Sequence, residues 1–313
     1  MSSELSRIQR LAARFGGHAA EGVALGIGDD AAVLRPPPGV TLVWTVDAQV
    51  DGVHFRRAWM SMEDIGWRSF VAAASDLWAM GAGPWCALSA LTCPGALTDE
   101  ELDALSIGQA EAARAAGCPI VGGNLSRGSE LSITTTLLGT CARAVSRGGA
   151  CVGDSVFLAG AVGLAAAGLG ALTSGRSGSD LDAAIEAFRR PTLRLAEGAA
   201  LGRVAHAAID VSDGLVQDVA HLATSSHVGV VLEEALLRAH AGDALARAAV
   251  ALGRDALGLM LTGGEDYALV AAGPTPIEGF TKVGEIVAGA GVRLRTGGVE
   301  RALEAAGFDH FRP

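Results

Sequence analysis

Residues 41–94 read TLVWTVDAQVDGVHFRRAWMSMEDIGWRSFVAAASDLWAMGAGPWCALSALTCP. Its first ten residues are rich in β-branched and aromatic side chains and predict a strand. From Met62 to Met80 the apolar residues recur at helical spacing, with Ser61 placed to cap the start and Gly81 to stop the end. CALSALTC then predicts a second strand. Strand, long helix and strand in this order indicate an α+β unit. Outward from it, GIGDDAAVL reads as a β segment joined to residues 41–50 by the PPPG turn, and TDEELDALSIGQAEAARAAG as an amphipathic helix opened by Thr98. CPIVGGN and LSITTTLLGTCA read as strands.

The glycine-rich run SRGGACVGDSVFLAG, residues 146–160, marks passage into a second α+β unit, with the boundary near Arg147. The expected domains are therefore 1–147 and 148–313. The second contains VFLAG, an Ala/Gly-rich helix, a polar SGRSGSD loop, a helix containing RRPTLRLAEGAAL, and AAIDVSDGL followed by LVQDVAHLATSSHVG. VGVVLEEA, MLTGGEDYALVAAG, KVGEIVAG and a short C-terminal helix complete it. A chain of 313 residues has room for two such cores.

A formal net charge of -10 and the lack of interleaved basic and aromatic residues exclude a nucleic-acid binder. The longest uncharged stretch, Ser155 to Gly175, is interrupted by four glycines and reads as strand, turn and helix rather than a membrane span. The N-terminus lacks the apolar core of a signal peptide. Five cysteines without a CxxC pair suit a reducing compartment, so a cytoplasmic protein is expected. Lys282 is the single lysine and lies outside any P-loop motif, so phosphates bound here must be neutralised by arginines and metal ions.

Carboxylates recur in loops and at strand ends: Asp29 and Asp30 in GIGDD, Asp47 in TVDAQVDGVHF, Asp76 in AAASDLWAM, Asp210 and Asp213 in AIDVSDGL, and Glu265 with Asp266 in LTGGEDY. An Asp beside Gly also caps helices and shapes turns whatever the protein does. Asp76 is more telling, because Val71, Ala72, Ala73, Ala74, Leu77 and Trp78 around it are apolar. An ionised carboxylate there needs a cation or donors. Mg²⁺ takes oxygen ligands, so scattered aspartates brought together would suit several such ions. The glycines of GIGDD and VGGN permit close approach of backbone to a phosphate, although Gly-Gly pairs are also common in hairpins.

GIGDDAAVL, TVDAQVDGVHF, SDLWAMGAGP, VGGNLSRG, IDVSDGLVQDVAHL, LTGGEDYALV and the terminal GFDHF, in this order, resemble the thiamine-monophosphate kinase family nearly end to end. That family belongs to a wider ATP-binding superfamily with aminoimidazole ribonucleotide synthetase, selenophosphate synthetase and a hydrogenase maturation protein. The resemblance implies two α+β domains, with the N-terminal sheet pairing across a homodimer. It implies ATP-dependent phosphorylation of thiamine monophosphate by direct in-line transfer, assisted by Mg²⁺ and needing no catalytic base.

Carried over by motif, Asp30, Thr45, Val46, Asp47, Asp76, Asn124, Asp210 and Asp213 surround the metals, and Gly123, Asn124, Arg147 and Ser212 meet the nucleotide. His54, Glu265 and Phe308 meet thiamine monophosphate. Three positions depart from the family pattern: Asn124 stands where GGD is usual, Val46 where Thr is usual, and Phe308 where Tyr or Trp is commoner. Asn124 motivates the alternative of a nucleotide-binding protein without turnover, and a superfamily enzyme with another acceptor is the nearer rival. No Cys precedes Cys86 and the chain ends HFRP, which disfavour the selenophosphate and hydrogenase branches.

Overall fold

The computed structural model describes residues 3–16 and 21–304, which form two compact units, Met1–Leu77 with Ala82–Ala142, and Trp78–Gly81 with Arg143–Pro313. The fold is α+β in both.

In the first unit α1 (Glu4–Phe15) precedes a two-stranded antiparallel sheet of β1 (Val23–Leu25) and β2 (Val33–Leu34). GIGDD lies between these strands as bridge and bend, shorter in β structure than its sequence suggests, because only the alternating apolar ends pair. A four-stranded sheet follows in the order β3-β6-β4-β5. It consists of β3 (Thr41–Val50), β4 (Gly83–Pro94), β5 (Ile120–Gly128) and β6 (Ser132–Cys141). Only the β4–β5 pair is parallel. The crossover between them is α3 (Asp99–Ala115), which Thr98 and Glu101 open with a reciprocal capping box. Its partner helix is α2 (Met62–Ala79). Buried Gln109 of α3 donates to Ser69 of α2 and accepts from Ser89 of β4, a satisfied polar chain that fixes both helices to one sheet face. The other face is left open: Leu42, Trp44 and Val46 alternate on β3, with Trp44 75% and Val46 63% exposed.

In the second unit seven strands run in the order β13-β12-β9-β11-β7-β10-β8. They are β7 (Ser155–Ala159), β8 (Ala207–Val211), β9 (Gly229–Glu233), β10 (Ala268–Gly273), β11 (Thr281–Val287), β12 (Gly291–Thr296) and β13 (Val299–Leu303). The helices are α4 (Leu164–Thr173), α5 (Ser179–Arg189), α6 (Leu195–Val204), α7 (Leu215–Ser226), α8 (Glu234–Leu252) and α9 (Ala256–Thr262). The helix read across RRPTLRLAEGAAL is in fact broken between α5 and α6, because Pro191 cannot donate within a helix and disfavours helical backbone before it. One core of Val, Leu, Ile and Ala side chains, among them Leu158, Ile209, Val219, Leu232 and Val270, joins sheet to helices. Among the described residues no helix is long and apolar enough to cross a membrane.

Candidate active site

In the first unit the alternation of β3 sets Thr45 and Asp47 on the face away from Trp44 and Val46. The Thr45 hydroxyl donates to Asp76 Oδ2 of α2, which links strand and helix at these acids. Burial raises the pKa of Asp47, the nearby Asp76 charge adds to that, and the Gln49 amide and the Ala48 N–H oppose it. Gln49 Nε2 donates to Asp47 Oδ2 at 3.2 Å. His54 closes a tight turn after β3: its N–H donates to the Val50 carbonyl at 3.0 Å, and its Nδ1 accepts the Val50 N–H at 3.1 Å. The neutral ring therefore carries its proton on Nε2. Asp30 is exposed, with its N–H donated to Asp29 Oδ1 at 2.8 Å.

Asn124 and Gly123 lie on β5, at the far edge of this sheet from β3. A single row, Asp47, Thr135, Ser89 and Gly123, crosses the four strands. Three strand spacings put its ends about 14 Å apart, so one chain does not bring Asn124 to Asp47. The glycine at 123 is demanded by the sheet itself, because a Cβ there would lie 1.9 Å from the Ser89 carbonyl oxygen.

In the second unit two sequence motifs interlock. Glu265 N–H donates to the Ser212 carbonyl at 2.8 Å and Tyr267 N–H to the Val211 carbonyl at 2.9 Å. Gly264 packs so closely that a Cβ would lie 2.3 Å from Ser212 O. Asp210, Ser212, Asp213 and Glu265 are thereby gathered at one end of the sheet. Glu265 and Tyr267 both have left-handed backbone, φ 69° and 47°, and the Tyr267 hydroxyl donates to Glu265 Oε2 at 2.7 Å, fixing that carboxylate.

Two further acids hold these loops: Asp218, given no role from the sequence, and Asp266, named there only among the recurring carboxylates. Asp218 Oδ2 accepts the N–H groups of Ser212, Asp213 and Gly214 at 3.1, 3.2 and 3.1 Å. Asp266 accepts those of Gly163 and Ala165, at the start of α4, at 2.6 and 2.9 Å. Burial pushes both carboxyls up to about 7, helped at Asp218 by the charges of Asp210 and Asp213. The signal available for Asp218 was an acid in the first turn of a helix opening at SDG, where free N–H groups collect. Arg147 is elsewhere in this unit: its carbonyl accepts from Ser226 Oγ at the far end of α7, about 18 Å from the Asp213 end. Phe308 lies outside the described residues.

Residues 28–141 match the family model described as AIR synthase related protein, N-terminal domain. The thiamine-monophosphate kinase of Aquifex aeolicus (strain VF5) is 33% identical over 291 residues, covering 91% of this chain and 92% of that protein. The crystal structure of thiamine-monophosphate kinase from Stenotrophomonas maltophilia K279a superposes with a TM-score of 0.82 at 33% identity, covering 93% of this chain and 96% of that one. A solved structure described as AaThiL complexed with AMPPCP and TMP also gives 0.82, at 30% identity, covering 98% and 97%.

Proposed function

The chain belongs to the thiamine-monophosphate kinase family, and we propose that it transfers the γ-phosphoryl group of ATP to the phosphate of thiamine monophosphate, yielding thiamine diphosphate and ADP. The full-length likeness to a structure holding AMPPCP and TMP supports this reading of both substrates. The observation that carries it in this chain is Asp47, a carboxylate desolvated by burial and crowded by Asp76, whose charge calls for a cation.

Mg²⁺ suits the donors of each unit taken by itself, which are oxygen throughout: the carboxylates of Asp30, Asp47 and Asp76 and the Thr45 hydroxyl in the first unit, with the Asn124 amide assigned to a metal from the opposite sheet edge, and the carboxylates of Asp210 and Asp213 in the second. Val46 can contribute only its carbonyl. When bound, Mg²⁺ would screen the repulsion between the two phosphate groups. The acceptor, a phosphate monoester with a second pKa near ~6, is already ionised at neutral pH, so no residue need act as base. The chain's own work is to hold acceptor and donor in line. His54 Nε2–H donates to the acceptor phosphate, and Glu265, held by Tyr267, takes the aminopyrimidine. Phe308 is assigned to the cationic thiazolium ring. Gly123, Asn124, Arg147 and Ser212 are assigned to the nucleotide.

The chain works as a homodimer in the cytoplasm. The exposed stripe of Leu42, Trp44 and Val46 supports a second copy covering that sheet face, and five free cysteines suit a reducing compartment.

Chromatography of thiamine diphosphate formed from thiamine monophosphate and ATP, with and without Mg²⁺, tests the function. Product requiring both ATP and Mg²⁺ supports it. A folded, ATP-binding protein that gives no product overturns it.

A further inference from the structure

At the end of β8 remote from Asp210 and Asp213, a thiol, a carboxylate and an imidazole meet: ligand atoms of Cys151, Asp154 and His206 all lie within 4.8 Å of one another. Three features of the chain build this cluster. Cys151 to Asp154 is a tight turn, with the Asp154 N–H donated to the Cys151 carbonyl at 2.9 Å and Gly153 at φ 97°, the left-handed position of a type II turn. The turn sets residues 151 and 154 on one side, and the Cys151 N–H donated to Asp154 Oδ2 at 2.8 Å locks the carboxylate over it.

Next, β7 and β8 both run antiparallel to β10, so the turn entering β7 and His206 entering β8 emerge at the same sheet edge. Between them lies the end of β10 at Gly273. Finally, the His206 N–H donates to the Ala272 carbonyl at 2.8 Å, and its Nδ1 lies 2.9 Å from Asp154 Oδ2. Asp154 is 4% exposed, whereas the Cys151 and His206 side chains reach solvent.

We propose that Cys151, Asp154 and His206 form a second metal site, distinct in chemistry from the magnesium carboxylates, for a borderline-soft divalent cation of the zinc class. Magnesium and calcium select oxygen donors, and a thiolate with an imidazole and a carboxylate is the set zinc selects. Zinc–ligand bonds of about 2.0–2.3 Å put donor atoms roughly 3–4 Å apart. Side-chain rotation of the solvent-reaching Cys151 and His206 closes the cluster to that size around the fixed Asp154. The fourth position faces solvent. Binding displaces the thiol proton to solvent and leaves Cys151 as thiolate.

Cobalt(II), added to the full chain in excess Mg²⁺ so that oxygen-only sites are filled, is the probe. The expected result is a thiolate-to-cobalt charge-transfer absorption that saturates at one equivalent and is abolished by zinc. Cys151→Ser removes it, Cys141→Ser leaves it, and His206→Ala weakens cobalt binding by at least the roughly 10- to 100-fold that loss of even an outer partner costs. Absence of the band overturns the proposal, as does a band that survives Cys151→Ser. Affinity unchanged by His206→Ala reduces the site to a lone thiol and overturns it equally.

Discussion

In the first unit Asp47 accepts from the Gln49 side chain and the Ala48 backbone and Asp76 accepts from the Thr45 hydroxyl, whereas in the second Asp218 and Asp266 accept from the backbone N–H groups of loops and helix starts, three on one and two on the other. The difference separates two uses of a buried acid. A carboxylate that accepts several amides completes the helix termini and loops donating them, and its loss leaves orphaned donors. Asp47, whose partners are the Gln49 amide and the neighbouring Ala48 N–H, completes no helix terminus, and the like charge of Asp76 beside it favours a bound cation.

The largest expected effect follows from that contrast. Asp47→Asn lowers thiamine diphosphate formation by at least about 10²- to 10³-fold, the range for losing one preorganised electrostatic group. It leaves thermal stability unchanged or raised, because a desolvated charge has gone. Near-normal turnover would remove Asp47 from the site, and a large drop in Tm would erase the distinction between the units. Asp266→Ala acts the other way. Two buried N–H groups lose their acceptor, costing about 3 kcal/mol, which for a unit of this size lowers Tm by on the order of 10 °C. An unchanged melting curve would show that water replaces the carboxylate.

Much of this arrangement was legible in the sequence, and for local reasons. TLVWTVDAQV and the helix from Met62 are dictated by side-chain period, and the Thr98 cap by a motif three residues long. The family resemblance supplied a list of proposed ligands before any geometry. What stayed hidden depends on contacts distant in sequence. Asp266 bonds to residues about a hundred positions away, and Asp154 finds His206 across a sheet whose strand order no local pattern encodes. Asp218 was hidden differently: in an amphipathic helix it reads as ordinary surface acid, and only its burial reveals its role.

That burial makes folding stability depend on pH. A carboxyl raised from 3.8 to about 7 binds a proton in the folded state across an interval where the unfolded chain has released it. Folding stability from this group is therefore lost as pH rises from about 4 to about 7. Without divalent cations, the wild-type chain loses stability over that interval, and Asp218→Asn loses less, since Asp266 still contributes in the same window. Denaturant midpoints at pH 4.5 and 7, buffer values set by about those two limits, provide the measurement. Equal slopes would place the titrating charge elsewhere.

The smallest effect concerns Asn124, exposed at the sheet edge opposite β3. At about 14 Å from the Asp47 end of the row it has no means of restoring ligands to that carboxylate within one chain. Asn124→Asp adds one charge at an exposed position, where an ionic contact contributes up to about 1 kcal/mol. The Mg²⁺ concentration giving half-maximal rate should fall by no more than about fivefold, with Tm unchanged. A larger drop would mean that Asn124 meets a metal in a desolvated setting, as across an interface with a second copy. An unchanged or raised requirement would take Asn124 out of the metal set and leave the carboxylates of β3 and α2 as this unit's anchors.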